Sequence, residues 1–215
     1  MIRDFESLKI TLLDFKAEMC IAWKEEIKLY ADYQGESYFP NVEIVNDNII
    51  DWLENNNNHL LGIVSPANSF GLMDGGYDGA IRQYFSEWYD FDIIPIVQEH
   101  LKEKFWGEQP VGSSTLIQLP VVGTYILHTP SMIAPSIIED PRVIYHCTRS
   151  CILEALRTEC THIVIPAFGG CCGKVPFKTI ASYMMAAIDT FTHYQRTLSW
   201  REIYHDHILS DLKLM

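Results

Sequence analysis

The chain has 215 residues, of which 28 are acidic and 16 are basic, so its formal net charge at pH 7 is −12. Apolar residues make up 48% of the chain and charged residues 20%. This length and composition are typical of one globular domain that buries a core without help from disulfides or metal ions. The acidic balance argues against non-specific binding to nucleic acid, which requires clustered Lys and Arg.

The sequence contains neither a long apolar stretch nor a signal-peptide pattern. Its longest apolar segments, such as 163–168, are far shorter than the roughly 20 residues that cross a bilayer. Charged residues interrupt the first 16 positions. We therefore expect a cytoplasmic protein without membrane contacts.

The cysteines and histidines do not form a metal-site pattern. No two of the six cysteines have C-x-x-C spacing, and Cys147 and Cys151, four apart in a helical pattern, are expected to be buried. His205 and His207 lie in a charged segment without a further ligand at zinc-site spacing, so a solvated surface is expected there. We expect no metal ion and no cofactor.

Strand and helix patterns alternate along the chain. In chain order they predict a strand over 8–13, a helix over 15–30, a strand over 42–45, a helix over 47–53, a strand over 60–65, helices over 77–88 and 93–105, strands over 114–119 and 124–128, a helix over 142–157, a strand over 162–165 and a helix over 177–193. This order predicts one α/β domain with a largely parallel sheet that is covered on both faces. Ligands in such folds bind beyond the carboxyl ends of the strands.

Seven of the twelve glycines lie in two short segments between a predicted strand and a predicted helix. They are Gly71, Gly75, Gly76 and Gly79 in the first segment and Gly169, Gly170 and Gly173 in the second. Glycine lets a ligand approach the backbone closely, and free amides at a helix start bind anions without a charged side chain. Two such segments favour a two-loop phosphate cradle over a pair of simple tight turns.

Three ordered motifs resemble the macro domain family, whose ligand is ADP-ribose. The first is IVSPANSFGLMDGGYDGAI at 63–81, the second is Leu127-His128-Thr129, and the third is PAFGGCCGKVP at 166–176. The resemblance covers about 42–191 and points to a bacterial-type branch. It implies a three-layer α/β/α fold and a single macro domain over 1–215. The strand and helix before position 42 and a C-terminal helical tail would then pack on the core.

The resemblance also implies where ADP-ribose binds. The pyrophosphate is expected between the amides around Gly75 and Gly76 and those of 169–173. An acidic side chain after the second strand usually meets the adenine amino group, and either Asp47 or Asn48 falls there; we favour Asp47 because a carboxylate only accepts hydrogen bonds. Its alternative role is to cap the following helix. The expected ligand-binding residues are Asp47, Asn48, Ala67, Phe70, Gly75, Gly76, Tyr77, Phe168, Gly169, Gly170, Cys171, Cys172 and Gly173.

In hydrolytic macro domains an Asn in the first motif positions the distal ribose, and an acidic residue ten positions later assists attack by water. The matching residues here are Asn68 and Asp78. The Asp78 carboxylate is expected to orient or deprotonate the water or to offset positive charge in the transition state. Its alternative role is to cap the helix that follows.

The chain departs from the family pattern at two places. Asp74 stands inside the family's four-glycine run, where it is expected either to act as a second acid/base group or to face solvent. Arg82 occupies a position at which some of the hydrolases carry histidine. Phe70 and Phe168 either stack on the ligand or fill the core.

These features predict an ADP-ribose-binding domain that hydrolyses an ADP-ribosyl linkage or an ADP-ribose derivative. The expected substrate is ADP-ribose carried by a protein, a small-molecule ester or a nucleic acid. The alternatives are an ADP-ribose 1″-phosphate phosphatase and a reader that binds ADP-ribose without turnover.

Overall fold

The computed structural model describes residues 2–34, 38–56, 60–192 and Ser199. One turn of 3-10 helix (Phe5–Ser7) precedes the regular elements. These are β1 (Lys9–Leu13), α1 (Ala17–Gln34), β2 (Val42–Val45), α2 (Ile49–Asn55), β3 (Leu61–Ser65), α3 (Gly76–Tyr89), α4 (Ile93–Phe105), β4 (Thr115–Gln118), β5 (Thr124–His128), α5 (Arg142–Leu156), β6 (His162–Pro166) and α6 (Phe177–Thr192). The predicted order of strands and helices is confirmed. His205 and His207 lie outside the described residues.

The six strands form one sheet in the order β2-β1-β6-β3-β5-β4. Five of them are parallel, and β4 pairs antiparallel with β5. β3 and β6 are neighbours, with Leu61 opposite His162 and Ile63 opposite Val164. The glycine segments that follow these two strands therefore start side by side at one edge of the sheet.

Each face of the sheet carries its own apolar core. One core joins residues of α1, α5 and α6 to Ile10, Val64 and Ile163 of the strands. The other joins residues of α2, α3 and α4 to Ile63 and Val164. Alternate residues of a strand point to opposite faces, which explains why neighbours such as Ile63 and Val64 belong to different cores. The predicted three-layer α/β/α fold is confirmed.

The N-terminal segment is integrated into this sheet, since β1 lies between β2 and β6. The guanidinium of Arg3 donates to the carbonyls of Ala155 and Cys160, and the Asn41 amide donates to the carbonyls of Phe5 and Leu8, each at 2.9 Å. These bonds fix the segment before β1 to neighbouring elements. Because β1 runs parallel to β6, Asp14, the residue after β1, lies at the same edge as the glycine segments.

Two further expectations concern burial and membranes. Cys147 and Cys151 are fully buried, as predicted. In the described part of the chain, every helix is too short or too polar to cross a membrane.

Candidate functional site

The first glycine segment is shaped by Asn68. Its side-chain oxygen accepts hydrogen bonds from the amides of Phe70 (3.0 Å) and Leu72 (3.4 Å), and its side-chain nitrogen donates to the Leu72 carbonyl (3.0 Å). The backbone of Gly71 has φ +67°, and an added Cβ there would lie 2.7 Å from a Val97 methyl carbon of α4. Asn68 thus holds the loop in a tight turn against α4 and retains one side-chain N–H for a further acceptor.

The same segment ends at the start of α3 with an open backbone. Gly75 is the N-cap of α3, without a side-chain cap, and Gly76 has φ +58°. A Cβ added at either residue would have no neighbour within 4 Å. The first turn of a helix leaves its amides without intrahelical acceptors, so Gly76, Tyr77 and Asp78 present N–H groups at this end of α3.

Asp78 is a buried carboxyl group in the first turn of α3, with 8% of the residue exposed. Its Oδ1 accepts a hydrogen bond of 2.7 Å from the Ser65 hydroxyl at the end of β3. Burial raises the pKa of Asp78 to about 7, while the Ser65 hydrogen bond lowers this pKa and the charge of Asp74 raises it. The capping alternative for Asp78 is wrong, because its carboxylate is bound to Ser65 and no side chain caps α3.

Two further polar side chains, Tyr77 and Asp14, lie near Asp78 at this end of the sheet. The Tyr77 hydroxyl is buried and has no hydrogen-bond partner within the described residues. Burial, with the charges of Asp78 and Asp14, raises the pKa of Tyr77 well above its usual value, so the phenol stays protonated. Asp14 accepts a hydrogen bond of 2.8 Å from the Lys16 amide, and burial raises the pKa of its carboxyl group.

Sequence reasoning missed Asp14 as a site residue, although its place at the end of a strand could have identified it. Asp14 follows directly on a buried strand, and parallel strands bring their carboxyl ends to one edge. The neighbouring strand order was needed to see that this edge is shared with the glycine segments.

The second glycine segment folds tightly on itself. Gly169 has φ +77°, and a Cβ added at Gly173 would lie 2.8 Å from the Gly169 carbonyl oxygen and 2.9 Å from its Cα. Gly170, between them, has room for a Cβ at ordinary contact distances. The glycine at 173 therefore permits a close backbone approach within the loop itself.

Side chains of the second segment point in two directions. Phe168 is fully buried in the core with α1, α5 and α6, so the expected stacking of its ring on a ligand is wrong and the core-filling alternative is right. Cys171 and Cys172 are exposed free thiols.

A basic side chain from another loop lies close to the end of the second segment. Lys16, from the loop after β1, places its ammonium group 5.3 Å from the ring centroid of Phe177, where α6 begins.

The loop from 129 to 141 joins the two glycine segments. On one side the Ser69 amide donates to the carbonyls of Met132 and Ile133, at 3.1 and 3.2 Å. On the other side the Ile138 amide donates to the Gly173 carbonyl at 3.0 Å. The three segments therefore form one continuous wall around the carboxyl ends of β3, β5 and β6.

Buried polar side chains lie beneath these segments and are hydrogen-bonded to the first of them. His128, at the end of β5, lies 2.6 Å from the Gln109 side-chain oxygen, and Gln109 donates to the His128 carbonyl at 3.1 Å. The Gln109 amide donates to the Ser69 carbonyl at 2.9 Å. Burial lowers the pKa of His128 to about 3. The ring is therefore neutral at pH 7 and is hydrogen-bonded to Gln109, whose backbone amide binds Ser69 of the first glycine segment.

The remaining predicted residues lie at or near the same edge. Asn48, rather than Asp47, caps α2, because its oxygen accepts from the Asp51 amide at 2.9 Å. The capping alternative for Asp47 is therefore wrong. Within the described part of the chain, the half-buried Asp47 accepts one hydrogen bond, from the Asn48 amide at 2.8 Å. Ala67 is buried beneath the first segment, and Phe70 is partly exposed on it.

The two departures from the family pattern differ in their surroundings. Asp74 is exposed, and its charge raises the pKa of Asp78, so Asp74 lies near that carboxyl group. Arg82 is half-buried and forms a two-pronged ion pair with Asp92, at 2.8 and 2.9 Å. Arg82 is therefore occupied on the outer face of α3 and does not replace a histidine inside the cleft.

The sequence matches the model of one protein family, described as "Macro domain", over residues 64–184. This range covers more than half of the chain and contains both glycine segments and Asp78. The chain belongs to the macro domain family. An uncharacterized protein of Aquifex aeolicus is 33% identical over 133 residues, which cover 60% of this macro domain and 73% of that protein.

Solved structures with the same fold include the macrodomain of Oceanobacillus iheyensis. A point mutant of that protein superposes with a TM-score of 0.50 and 20% identity over 72% of this chain and 86% of that chain. The same macrodomain with MES bound gives 0.50 and 21% over 71% and 84%. At this level of identity the similarity establishes the fold.

The buried carboxyl group of Asp78 should make the stability of this macro domain depend on pH. Between about pH 4 and pH 7 the folded state keeps a proton on Asp78 that the unfolded state has released. The free energy of unfolding therefore falls as the pH rises over this range, and the loss is complete above pH 7. Asp78→Asn has no such loss. The free energy of unfolding of the variant, minus that of the wild type, should grow by at least about 1 kcal/mol from pH 5 to pH 8.

Urea unfolding of both proteins at each pH measures this difference. The Glu87→Gln variant, at an exposed carboxylate of the same helix, is the matched control, and its difference from the wild type should stay nearly constant. A constant difference for Asp78→Asn as well would show that the folded protein does not retain this proton.

Proposed function

We propose that this macro domain binds ADP-ribose and hydrolyses an ADP-ribosyl linkage or an ADP-ribose derivative. The observation that carries the proposal is the buried Asp78 carboxyl, with a pKa of about 7, beside two glycine segments at the carboxyl edge of a parallel sheet. Ligands of α/β folds bind at such an edge. The proposal treats residues 1–215 as one domain.

The pyrophosphate would lie between the two glycine segments. Open space beside Gly75 and Gly76 and the free amides of the first turn of α3 suit an anion, and the helix dipole adds to the attraction. On the other side the amides of 169–173 complete the cradle, with Gly170, Cys171 and Cys172 at its surface. The Lys16 ammonium group supplies a positive charge at the outer edge of this cradle.

The adenosine end of the ligand would lie toward β1 and β2. Asp47 is proposed to accept the hydrogen bond from the adenine amino group, since the Asn48 side chain is engaged in capping α2. Asp14 adds a second acceptor at the same edge, and Tyr77 offers a protonated hydroxyl that has no hydrogen-bond partner among the residues that the structure describes. A buried donor without a partner costs free energy, which a ligand oxygen would recover.

The distal ribose would lie between Asn68 and Asp78. In its ionised form Asp78 takes a proton from a water molecule whose oxygen attacks the anomeric carbon. The bond from that carbon to the leaving group breaks, the leaving group gains a proton from solvent, and Asp78 releases its proton to solvent and is again ionised. A base with a pKa near the working pH combines a useful ionised fraction with sufficient basicity. The remaining N–H of Asn68 would donate to a ribose hydroxyl.

The second candidate is a reader that binds ADP-ribose without turnover. It is favoured by one observation, because Asn68 already uses its oxygen and one N–H to shape its own loop. Catalysis is the better proposal, since the carboxyl group of Asp78 is not consumed by capping α3.

Calorimetric titration with ADP-ribose, beside ADP and AMP, tests the binding step. We expect micromolar affinity for ADP-ribose and weaker binding of both shorter nucleotides, because they lack the distal ribose. The absence of heat with ADP-ribose would overturn the proposal. Product release from an ADP-ribosylated protein then separates the hydrolase from the reader.

A further inference from the structure

The carboxyl group of Asp78 occupies a core position of α3. Asp78, Ile81 and Phe85 follow one another at spacings of three and four residues, so they share one face of the helix, and all three are buried. A carboxylate in such a place is costly unless it accepts hydrogen bonds. The hydrogen-bond partner of this group therefore influences both its ionisation and its orientation.

That partner is Ser65, the last residue of β3 and the one polar side chain of that strand. Ser65 lies two positions after Ile63, so it points to the face of the sheet that carries α3. The residue is fully buried, and its carbonyl oxygen accepts a hydrogen bond of 2.9 Å from the Thr129 amide. The hydroxyl that donates to Oδ1 of Asp78 at 2.7 Å is therefore held by an interior strand of the sheet.

The two oxygens of the Asp78 carboxyl group have different surroundings. Oδ1 accepts the Ser65 hydrogen bond. Within the described residues Oδ2 accepts none, yet water can reach it, unlike the Tyr77 hydroxyl, which has neither a partner nor exposed surface there. One oxygen is therefore fixed by the protein, and the other is open to a water molecule.

Five other titratable groups lie around Asp78: Asp74 in the first glycine segment, Tyr77 and Arg82 on α3, Asp14 after β1 and His128 opposite Ser65 in β5. The charge of Asp74 raises the pKa of Asp78, and His128 is neutral. The Arg82 guanidinium is bound to Asp92. In the described part of the chain, the hydrogen bond that favours the ionised form of Asp78 therefore comes from Ser65.

We propose that Ser65 is a positioning residue, whose hydroxyl holds Oδ1 of Asp78 so that Oδ2 is the oxygen that takes the proton from the attacking water. This inference rests on the proposed function, in which Asp78 is the general base. While Oδ2 carries the proton, the Ser65 hydroxyl still donates to Oδ1, so the same oxygen returns the proton to solvent. Loss of this hydrogen bond would raise the pKa of Asp78, since the bond favours the charged form.

The first measurement is an NMR titration of the Asp78 carboxyl carbon in the ligand-free protein, with the signal assigned through Asp78→Asn. Ser65→Ala should raise the titration midpoint by about one pH unit, because a hydrogen bond to a charged group is worth at least that much. Ser65→Cys has a weaker donor and should give an intermediate midpoint. This second variant keeps the test decisive if Ser65→Ala does not fold.

The matched control is Thr11→Val. Thr11 is fully buried in β1, three positions before Asp14, and its hydroxyl is hydrogen-bonded to Nε2 of His162 at 2.8 Å. The substitution likewise removes a buried strand hydroxyl from a titratable neighbour, but it does so away from Asp78. It should leave the Asp78 midpoint unchanged.

The second measurement is the pH dependence of hydrolysis of a mono-ADP-ribosylated protein. Below the midpoint the rate follows the ionised fraction of the base, so Ser65→Ala should be about tenfold slower than the wild type at pH 6. The difference should narrow as the pH rises above both midpoints. The affinity for ADP-ribose should stay within about twofold of the wild-type value in calorimetry, because the fully buried Ser65 does not meet the ligand.

Three outcomes would overturn the role of Ser65. They are an unchanged carboxyl midpoint in the Ser65 variants, an equal shift in Thr11→Val, and a shifted midpoint with an unshifted rate profile. Absence of turnover by the wild type is a separate result. It removes the proposed function, whereas a shifted midpoint in Ser65→Ala would still show that Ser65 controls the ionisation of Asp78.

Discussion

Asp78→Asn should lower the rate of ADP-ribosyl hydrolysis by about 10²- to 10⁴-fold, the usual contribution of a positioned general base. The amide keeps the shape of the side chain and can still accept the Ser65 hydrogen bond, so the fold and the affinity for ADP-ribose should be retained. Single-turnover hydrolysis of a mono-ADP-ribosylated protein, together with calorimetry, measures both quantities.

The pH dependence of the wild-type rate supplies a second readout. Because the base must be ionised and burial raises the pKa of Asp78 to about 7, the rate should rise with pH and level off above that value. Glu87→Gln, on an exposed carboxylate of α3, should change the rate only slightly. Hydrolysis at the wild-type rate by both Asp78→Asn and Asn68→Ala would exclude the mechanism.

Gly173→Ala should destabilise the protein by about 1 to 3 kcal/mol, the usual cost of forcing a methyl group into a packed site. The new Cβ would approach the backbone of Gly169 at 2.8 to 2.9 Å, and backbone atoms cannot rotate away as a side-chain tip can. The second glycine segment would have to shift. We therefore expect weaker ADP-ribose binding as well, measured by urea unfolding and calorimetry.

Gly170→Ala is the control within the same loop. Its Cβ would meet its nearest neighbours, including Ile180, at 3.5 to 3.6 Å, which is ordinary contact. Its free energy of unfolding should stay within about 0.5 kcal/mol of the wild-type value. Equal stability of Gly173→Ala and wild type would show that the loop relaxes more easily than the close approach of Gly169 and Gly173 implies.

Local patterns were sufficient to predict the elements and the two loops. Strands 42–45 and 124–128 and the helix over 93–105 match the structure at both ends. Glycine clusters between strand and helix predicted the segments before α3 and α6, because chain direction and turn chemistry are local properties. Most of the candidate site could therefore be listed from the sequence.

Roles that depend on contacts were harder to predict. The sequence left open whether Asp78 caps α3, whether Asp47 meets adenine or caps α2, and whether Phe168 meets a ligand. Each answer depends on which neighbour the side chain meets: Ser65 for Asp78, the Asp51 amide for Asn48 and a buried core for Phe168.

By itself, the sequence determined the α/β class, the two glycine segments and the ten-residue spacing of Asn68 and Asp78, because these are written in local order and periodicity. Only the tertiary structure decided that β1 enters the sheet between β2 and β6 and brings Asp14 to the edge. It also decided that Asp78 is buried enough for its pKa to reach about 7. Strand order and burial depend on residues far apart in the chain, so no local pattern contains them.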